Sequence, residues 1–240
     1  MAVFALSDLH LSLSNPEKSM DVFGPKWDGY IGRIREGWLS NVTAGDTVLV
    51  SGDISWATKI TEAEEDFEFL SSLPGRKLLS RGNHDYWWTT ISKMDGFFAD
   101  RSYSGIEIVR TNVIEAEGAL ISGTRGWMLP GDSEFGQQDR KIYDRELARL
   151  RLCFAEMDKT DPGRSRTRII MLHYPPITKF DHPTDFTEII REGGADICVY
   201  GHLHGLAHRK VFDQIEFEGC RYYCTSGDYL GFTPLKLLSF

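Results

Sequence analysis

The chain has 240 residues, 41% of them hydrophobic, enough to bury a core of ordinary α/β size, so a single domain over residues 1–240 is expected. Its 27 basic residues stand against 35 acidic ones, a formal charge of −8, which excludes a protein that grips nucleic acid by neutralising phosphates over a broad surface. No stretch has the length of a membrane span or a signal-peptide core, since the apolar start is interrupted at Ser7 and Asp8, and no membrane partner is expected.

Ala2 to Leu6 reads as a buried strand running into Asp8-Leu9-His10. A loop from Leu11 to Trp27 follows, and Asp28 is placed to cap a helix with the face Ile31, Ile34, Trp38 and Val42. Thr47 to Val50 is the second strand and ends in Ser51-Gly52-Asp53. Thr61-Glu62-Ala63-Glu64 has capping-box form, and Ala63, Phe67, Leu70 and Leu73 give that helix its apolar stripe before Pro74-Gly75. Lys77 to Leu79 is a third strand leading to Arg81-Gly82-Asn83-His84-Asp85, and Trp88 to Ala99 is a third helix. The segments Ile106–Arg110, Asn112–Ala116 and Ala119–Ser122 have no helical pattern between them, which predicts antiparallel pairing and a mixed sheet.

Gly123 to Arg140 reads as a long Gly-rich loop carrying Arg125, Trp127 and Arg140, a length that suits substrate binding. Tyr143, Leu147, Leu150, Phe154 and Met157 form the core face of the next helix. Arg164, Arg166 and Arg168 fit a solvated loop, after which Arg168 to Leu172 is a strand ending at His173. A helix from Asp185 to Gly193-Gly194 precedes the strand Asp196–Tyr200, which ends in Gly201-His202-Leu203-His204. Val211–Phe217 and Cys220–Thr225 form a hairpin about Glu218-Gly219, and the chain from Gly227 returns across the fold. Cys153, Cys198, Cys220 and Cys224 lack the spacing of a disulfide framework, so buried thiols and a cytoplasmic location are expected.

Five predicted strands therefore end in residues able to bind metal: Asp8 and His10, Asp53, Asn83, His173, and His202 with His204. Ligands of α/β sheets collect beyond the carboxyl ends of strands. In Asp8-x-His10 and His202-x-His204 a spacing of two places both side chains on one face of extended chain. Gly52, Gly82 and Gly201 each precede a candidate ligand, where a residue without Cβ takes conformations closed to others. Two carboxylates, one amide and four imidazoles exceed one four-coordinate ion and suit two ions sharing Asp53. Mixed nitrogen and oxygen donors without thiolate point to manganese, iron or zinc as divalent or trivalent ions.

Taken together, Asp8-Leu9-His10, Gly52-Asp53, Gly82-Asn83-His84-Asp85, His173 and Gly201-His202-Leu203-His204 resemble the calcineurin-like metallophosphoesterases. The resemblance implies a four-layer α/β sandwich, with two mixed sheets face to face and helices outside. It implies one metal held by Asp8, His10, Asp53 and His204, and another by Asp53, Asn83, His173 and His202. It also implies hydrolysis of a phosphate ester by a metal-bound water or hydroxide, with the two ions clamping the phosphoryl oxygens. His84 would stabilise the transition state or protonate the leaving oxygen, with Asp85 orienting its ring.

Gly52-Asp53-Ile54-Ser55-Trp56 lacks the Asp-Arg-Gly extension of protein serine/threonine phosphatases, and Trp56 stands where purple acid phosphatases place a metal-binding Tyr. The stand-alone bacterial-type phosphohydrolases and the cyclic-nucleotide phosphodiesterase-like members are the branches left. Trp56, Trp87, Arg125 and Trp127 are the candidate substrate contacts, suited to a small, nucleotide-like phosphodiester; Trp88 fits packing better. The alternatives are a phosphomonoesterase of the same family and a noncatalytic metal-containing scaffold, as in the retromer subunit of this fold. His182 and His208 fall outside the motifs, with His208 close enough to His204 to support it.

Overall fold

The computed structural model describes residues 1–212 and 215–239. In chain order the elements are β1 (Ala2–Ala5), α1 (Tyr30–Asn41), β2 (Thr47–Ser51), α2 (Glu64–Ser72), β3 (Arg76–Ser80), α3 (Ile91–Asp100), β4 (Ile106–Ile108), β5 (Ile114–Ala116), β6 (Ala119–Gly123), α4 (Gln137–Thr160), β7 (Thr167–Met171), α5 (Asp185–Gly193), β8 (Ile197–Tyr200), β9 (Ile215–Phe217), β10 (Cys220–Cys224) and β11 (Leu235–Ser239). Two sheets result, ordered β11-β1-β2-β3-β4 and β5-β6-β7-β8-β10-β9. Strands β1 to β4 are mutually parallel with β11 antiparallel at one edge, while β6, β7, β8 and β10 are parallel between antiparallel edges β5 and β9.

Alternation along the strands explains the four layers. In β1, Val3 and Ala5 join Leu49, Leu78, Ile169, Met171, Ile197 and Val199 in a core between the sheets. Ala2 and Phe4 point the other way, into a cluster with Tyr30, Ile34 and Trp38 of α1, Phe67 and Leu70 of α2, and Phe97 and Phe98 of α3. On the far side of the second sheet, Leu120, Ile170 and Cys198 pack on Tyr143, Leu150 and Met157 of α4 and on Ile189 and Ile190 of α5. A parallel strand buried on both faces has to be apolar at nearly every position. The expected sandwich of two mixed sheets flanked by helices is the architecture found.

Several local expectations change. Helix α1 is preceded by Gly29 in the left-handed region, and Asp28 does not cap it. The carboxylate of Glu62 closes a 3-10 turn by accepting from Thr58 and Lys59, one turn before α2, so the capping box at Thr61 is not formed. Helix α3 begins at Ile91, three residues beyond Trp88. Of the three central segments only β5 and β6 pair antiparallel; β4 extends the first sheet in parallel with β3. The long loop ends earlier than expected, because Arg140 lies in the first turn of α4 with its guanidinium over Phe135 and Tyr143. Arg168 is buried rather than solvated: it pairs with Asp158 at 2.7 Å and donates to the Gly193 and Asp161 carbonyls. The hairpin expected from Val211 is strand only from Ile215, with Asp213 and Gln214 outside the described residues. All four cysteines are free and buried, and no helix among the described residues is long and apolar enough to cross a membrane.

Lys77 is also buried, on β3, where its ammonium donates to the Leu73 carbonyl. Burial pushes it down to about 8, because a low-dielectric setting disfavours the charged form. The folded state thus loses this proton before the unfolded state does as pH rises, so stability climbs between pH 8 and the ordinary lysine range near 10.5. In Lys77→Met this rise in denaturant-measured stability is expected to vanish; an unchanged rise would place its origin elsewhere.

Candidate metal centre

The loops that leave β1 and β2 are zipped together by their backbones. Asp8 N–H donates to the Gly52 carbonyl, His10 N–H to Asp53, Leu11 N–H to Ile54, and Trp56 N–H returns to Leu11. This pairing holds Asp8, His10 and Asp53 with positive φ values of 56°, 45° and 53°, and His202 joins them at 72°. Non-glycine residues visit that region at a cost that surrounding structure must offset. Four of the seven candidate ligands sit there, a concentration of backbone strain typical of a functional site.

All seven candidate ligands converge. His10 Nε2 lies 3.3 Å from His204 Nε2 and 3.7 Å from Asp53 Oδ2, and His204 Nε2 lies 3.6 Å from Asp8 Oδ1. On the other side, Asn83 Oδ1 lies 2.6 Å from His173 Nε2 and 2.9 Å from His202 Nδ1, and His173 Nε2 is 3.5 Å from Asp53 Oδ2. One oxygen of Asp53 thus stands between two groups of donors. Asp8, His10 and His204 form one set close enough to hold a cation, and Asp8, Asp53 and His173 another.

Two of the candidate ligands are aimed by their other contacts. His173 Nδ1 donates to the Ser51 carbonyl at 2.9 Å, which turns Nε2 inward. His204 Nδ1 lies 2.8 Å from Asp228 Oδ1, which turns its Nε2 toward Asp8. Such outer partners fix the tautomer and orientation of a metal-binding imidazole. Asp228 is not among the residues singled out by the sequence motifs. The signal was present: Thr225-Ser226-Gly227-Asp228 follows β10 as Gly52-Asp53 follows β2. His208 completes this side, with Nε2 2.9 Å from the Leu203 carbonyl and 3.4 Å from Asp228.

Asp85 does something other than orient the His84 ring. Its carboxylate is fully buried and accepts from Asp53 N–H at 2.9 Å, Ile54 N–H at 2.8 Å, Gly82 N–H at 2.7 Å and the Trp87 indole at 2.9 Å. It therefore ties the β2 loop to the β3 loop. His84 Nδ1 has no partner among the described residues, while the His84 N–H donates to Asp53 Oδ1 at 2.8 Å. Trp87, expected at the substrate, is buried against Phe67 and cannot touch one. Trp56 is half-buried, stacked on His10 with ring centroids 5.0 Å apart and 4.6 Å from His84. Arg125 lies over Trp127 at 4.3 Å, Trp127 packs on Tyr174, and Tyr174 on His202 at 4.2 Å.

The donor chemistry fits a cation. Three buried carboxylates, Asp8, Asp53 and Asp85, crowd one site; burial and then the Asp8 and Asp85 charges push the Asp53 carboxyl well above its usual range. Burial lowers His10 and His173 and brings His202 down to about 3, so these imidazoles are in the neutral form that binds metal. His204 is the exception: burial works against its charge, but bonds to Asp228 and Asp8 outweigh that and raise it to about 10. A positive charge is favoured where that proton sits, and a metal ion competes for the same place.

The motif glycines are required here, for two different reasons. Gly52 has φ +93°. Gly82 and Gly201 lie outside the left-handed region, so the conformational freedom expected of them is not what they provide. A Cβ on Gly82 would overlap Asp53 Oδ1, and one on Gly201 would overlap Asp8 Oδ2; they are absent side chains that let the carboxylates approach the backbone.

Residues 1–206 match the calcineurin-like phosphoesterase family, and the chain belongs to it. No curated protein matches the sequence. Among solved structures it is similar to the phosphopantetheinyl hydrolase of Mycobacterium tuberculosis, at 13% identity and a TM-score of 0.58 over 100% of this chain and 96% of that one. A Thermus thermophilus protein gives 11% identity and a TM-score of 0.57, covering 98% and 96%. A protein of unknown function from Aquifex aeolicus gives 16% and 0.50, covering 98% and 95%. At these identities the likeness is one of fold.

Gly82→Ala is expected to displace Asp53 and abolish tight metal retention in a folded protein, measured as metal content after dialysis; full retention would contradict the close approach. Asp228→Ala is expected to weaken metal affinity by about 10- to 100-fold through loss of the His204 orientation. Unchanged affinity in a manganese titration would remove that role from Asp228.

Proposed function

We propose that the chain is a dinuclear metal-dependent phosphoesterase acting on a small phosphodiester or nucleotide-like ester. One ion would be held by Asp8, His10, Asp53 and His204, the other by Asp53, Asn83, His173 and His202. The observation that carries this reading is Asp53 Oδ2 standing 3.7 Å from His10 Nε2 and 3.5 Å from His173 Nε2, a single oxygen shared by two donor groups. Manganese, iron and zinc suit the mixed nitrogen and oxygen set. When bound, such ions supply Lewis-acid polarisation of the phosphoryl oxygens and a more acidic water.

The remaining work falls to the chain's own residues. Burial and then the neighbouring His173 and His204 hold His84 below its usual range, so its imidazole is neutral near pH 7 and can donate an N–H to an ester oxygen. Trp56 packs beside it and limits its orientation. Arg125 can pair with a phosphoryl oxygen, and Trp56 and Trp127 offer aromatic faces to a planar leaving group. Four free, buried thiols suit a reducing cytoplasm. With His84 beside Asp53, no observation favours the scaffold alternative.

In manganese-reloaded protein, His84→Ala is expected to keep its metal and lose about 100- to 10,000-fold in turnover of bis-p-nitrophenyl phosphate, whereas Asp53→Asn loses metal and activity together. Retention of both in both variants contradicts the assignment. The unmodified protein is expected to prefer this diester to p-nitrophenyl phosphate; the opposite preference replaces the diesterase with a phosphomonoesterase.

A further inference from the structure

Beside the metal centre lies a cavity of about 870 Å³ that none of the metal ligands lines. That volume falls in the range of about 300–1,000 Å³ usual for small-molecule sites. Five arginines line it, Arg81, Arg110, Arg125, Arg145 and Arg149, and no aspartate or glutamate does. In a chain of net charge −8 this is a local reversal of sign, which low-dielectric walls focus into an anion-attracting field.

The arginines are largely uncommitted. Glu146 of α4 accepts from Arg149 at 2.6 Å and lies 3.7 Å from Arg145, and it also accepts from Thr124. Among the described residues no carboxylate is within ion-pair distance of Arg81, Arg110 or Arg125. Burial weighs against the proton on Arg125, Glu146 and then Tyr174 favour it, and the charges of Arg81 and Arg145 add a smaller opposition. Five arginines around a single neighbouring carboxylate leave an excess of positive charge that suits an anion. Thr89, Thr90 and Ile91 line the same cavity at the start of α3, a ten-residue helix that no side chain caps, so its first-turn N–H groups add to the attraction.

Position ties the cavity to the chemistry. Arg81 directly precedes Gly82-Asn83. The Arg125 carbonyl accepts from His173 N–H and Tyr174 N–H, both at 3.0 Å, and its guanidinium starts the run through Trp127 and Tyr174 to His202. We infer that the substrate carries a second phosphoryl group, bound by the arginine cavity while the first lies at the metal centre. This rests on the phosphoesterase reading for the first group and extends it to a class of substrate: small bis-phosphorylated esters. One phosphoryl group leaves most of the cavity and its arginines unused; two groups joined by a linker occupy both places.

The test uses non-hydrolysable probes, so that binding is read apart from turnover. Manganese-loaded protein is titrated calorimetrically with alkyl phosphonates and with α,ω-alkane bisphosphonates of about two to eight carbons, while the same preparation is assayed on bis-p-nitrophenyl phosphate. The bisphosphonate is expected to bind at least roughly tenfold more tightly than the monophosphonate, with the advantage peaking at one linker length and shrinking as salt is raised. Arg110 and Arg145 are both exposed, so Arg110→Gln/Arg145→Gln is expected to fold normally and reduce the advantage to less than about twofold. Equal affinities at every length, or an advantage that persists in the double variant, overturns the inference. Absence of diester turnover overturns the phosphoesterase reading instead, and the binding comparison still decides the cavity.

Discussion

Everything at this centre depends on keeping buried carboxylates close together, and above all on the Asp53 side chain. Its Oδ1 accepts from His84 N–H, its Oδ2 faces His10 and His173, and its own N–H is held by Asp85. Asp85 accepts four close hydrogen bonds, none of them from the side chain of a candidate ligand. Burial pushes its carboxyl up, and the N–H groups of Gly82 and Ile54 oppose that by favouring the charged form. Those bonds lock two loops from different strands into one geometry. Gly82 and Gly201 allow Asp53 and Asp8 to lie directly against backbone. A centre assembled this way excludes side-chain bulk at three glycines and accepts strain at four candidate ligands, and its buried like charges favour compensation by a cation and by backbone donors.

The two sheets contribute unequally. Asp8, Asp53 and Asn83 come from the ends of β1, β2 and β3; His173, His202 and His204 come from β7 and β8. Most of the candidate imidazoles thus belong to the second sheet and both candidate carboxylates to the first, so the centre is complete only while the sheets are packed through Val3, Ala5, Ile169 and Val199. The arginine cavity has the same divided origin, with Arg81 after β3, Arg125 after β6 and Arg145 on α4. Metal centre and cavity therefore report on one interface, and loosening it would disturb both.

Much of this was legible in the sequence, because a strand followed by Gly-Asp, Gly-Asn or Gly-His states its chemistry locally. The seven candidate ligands lie together as the motif order implied, and apolar runs located β1, β2, β3, β7 and β8, though not the parallel pairing of β4. What the sequence withheld depends on partners far along the chain. Trp87 looked like a substrate contact from its neighbours, but Phe67 covers it. Asp85 looked like an orienting group for the adjacent histidine, but two of the N–H groups it accepts from lie 32 and 31 positions away, at Asp53 and Ile54. Arg168 read as one of a solvated trio until Asp158 and the Gly193 carbonyl enclosed it. The five cavity arginines are spread from position 81 to 149, so no window of sequence contains their cluster.

The central claim is that Asp53 joins two ions in one centre. It is tested most directly by electron paramagnetic resonance during a manganese titration of the metal-free protein. The account predicts saturation at two manganese ions per chain and an exchange-coupled spectrum. Saturation at one ion, or two ions giving only isolated-manganese signals, would contradict it.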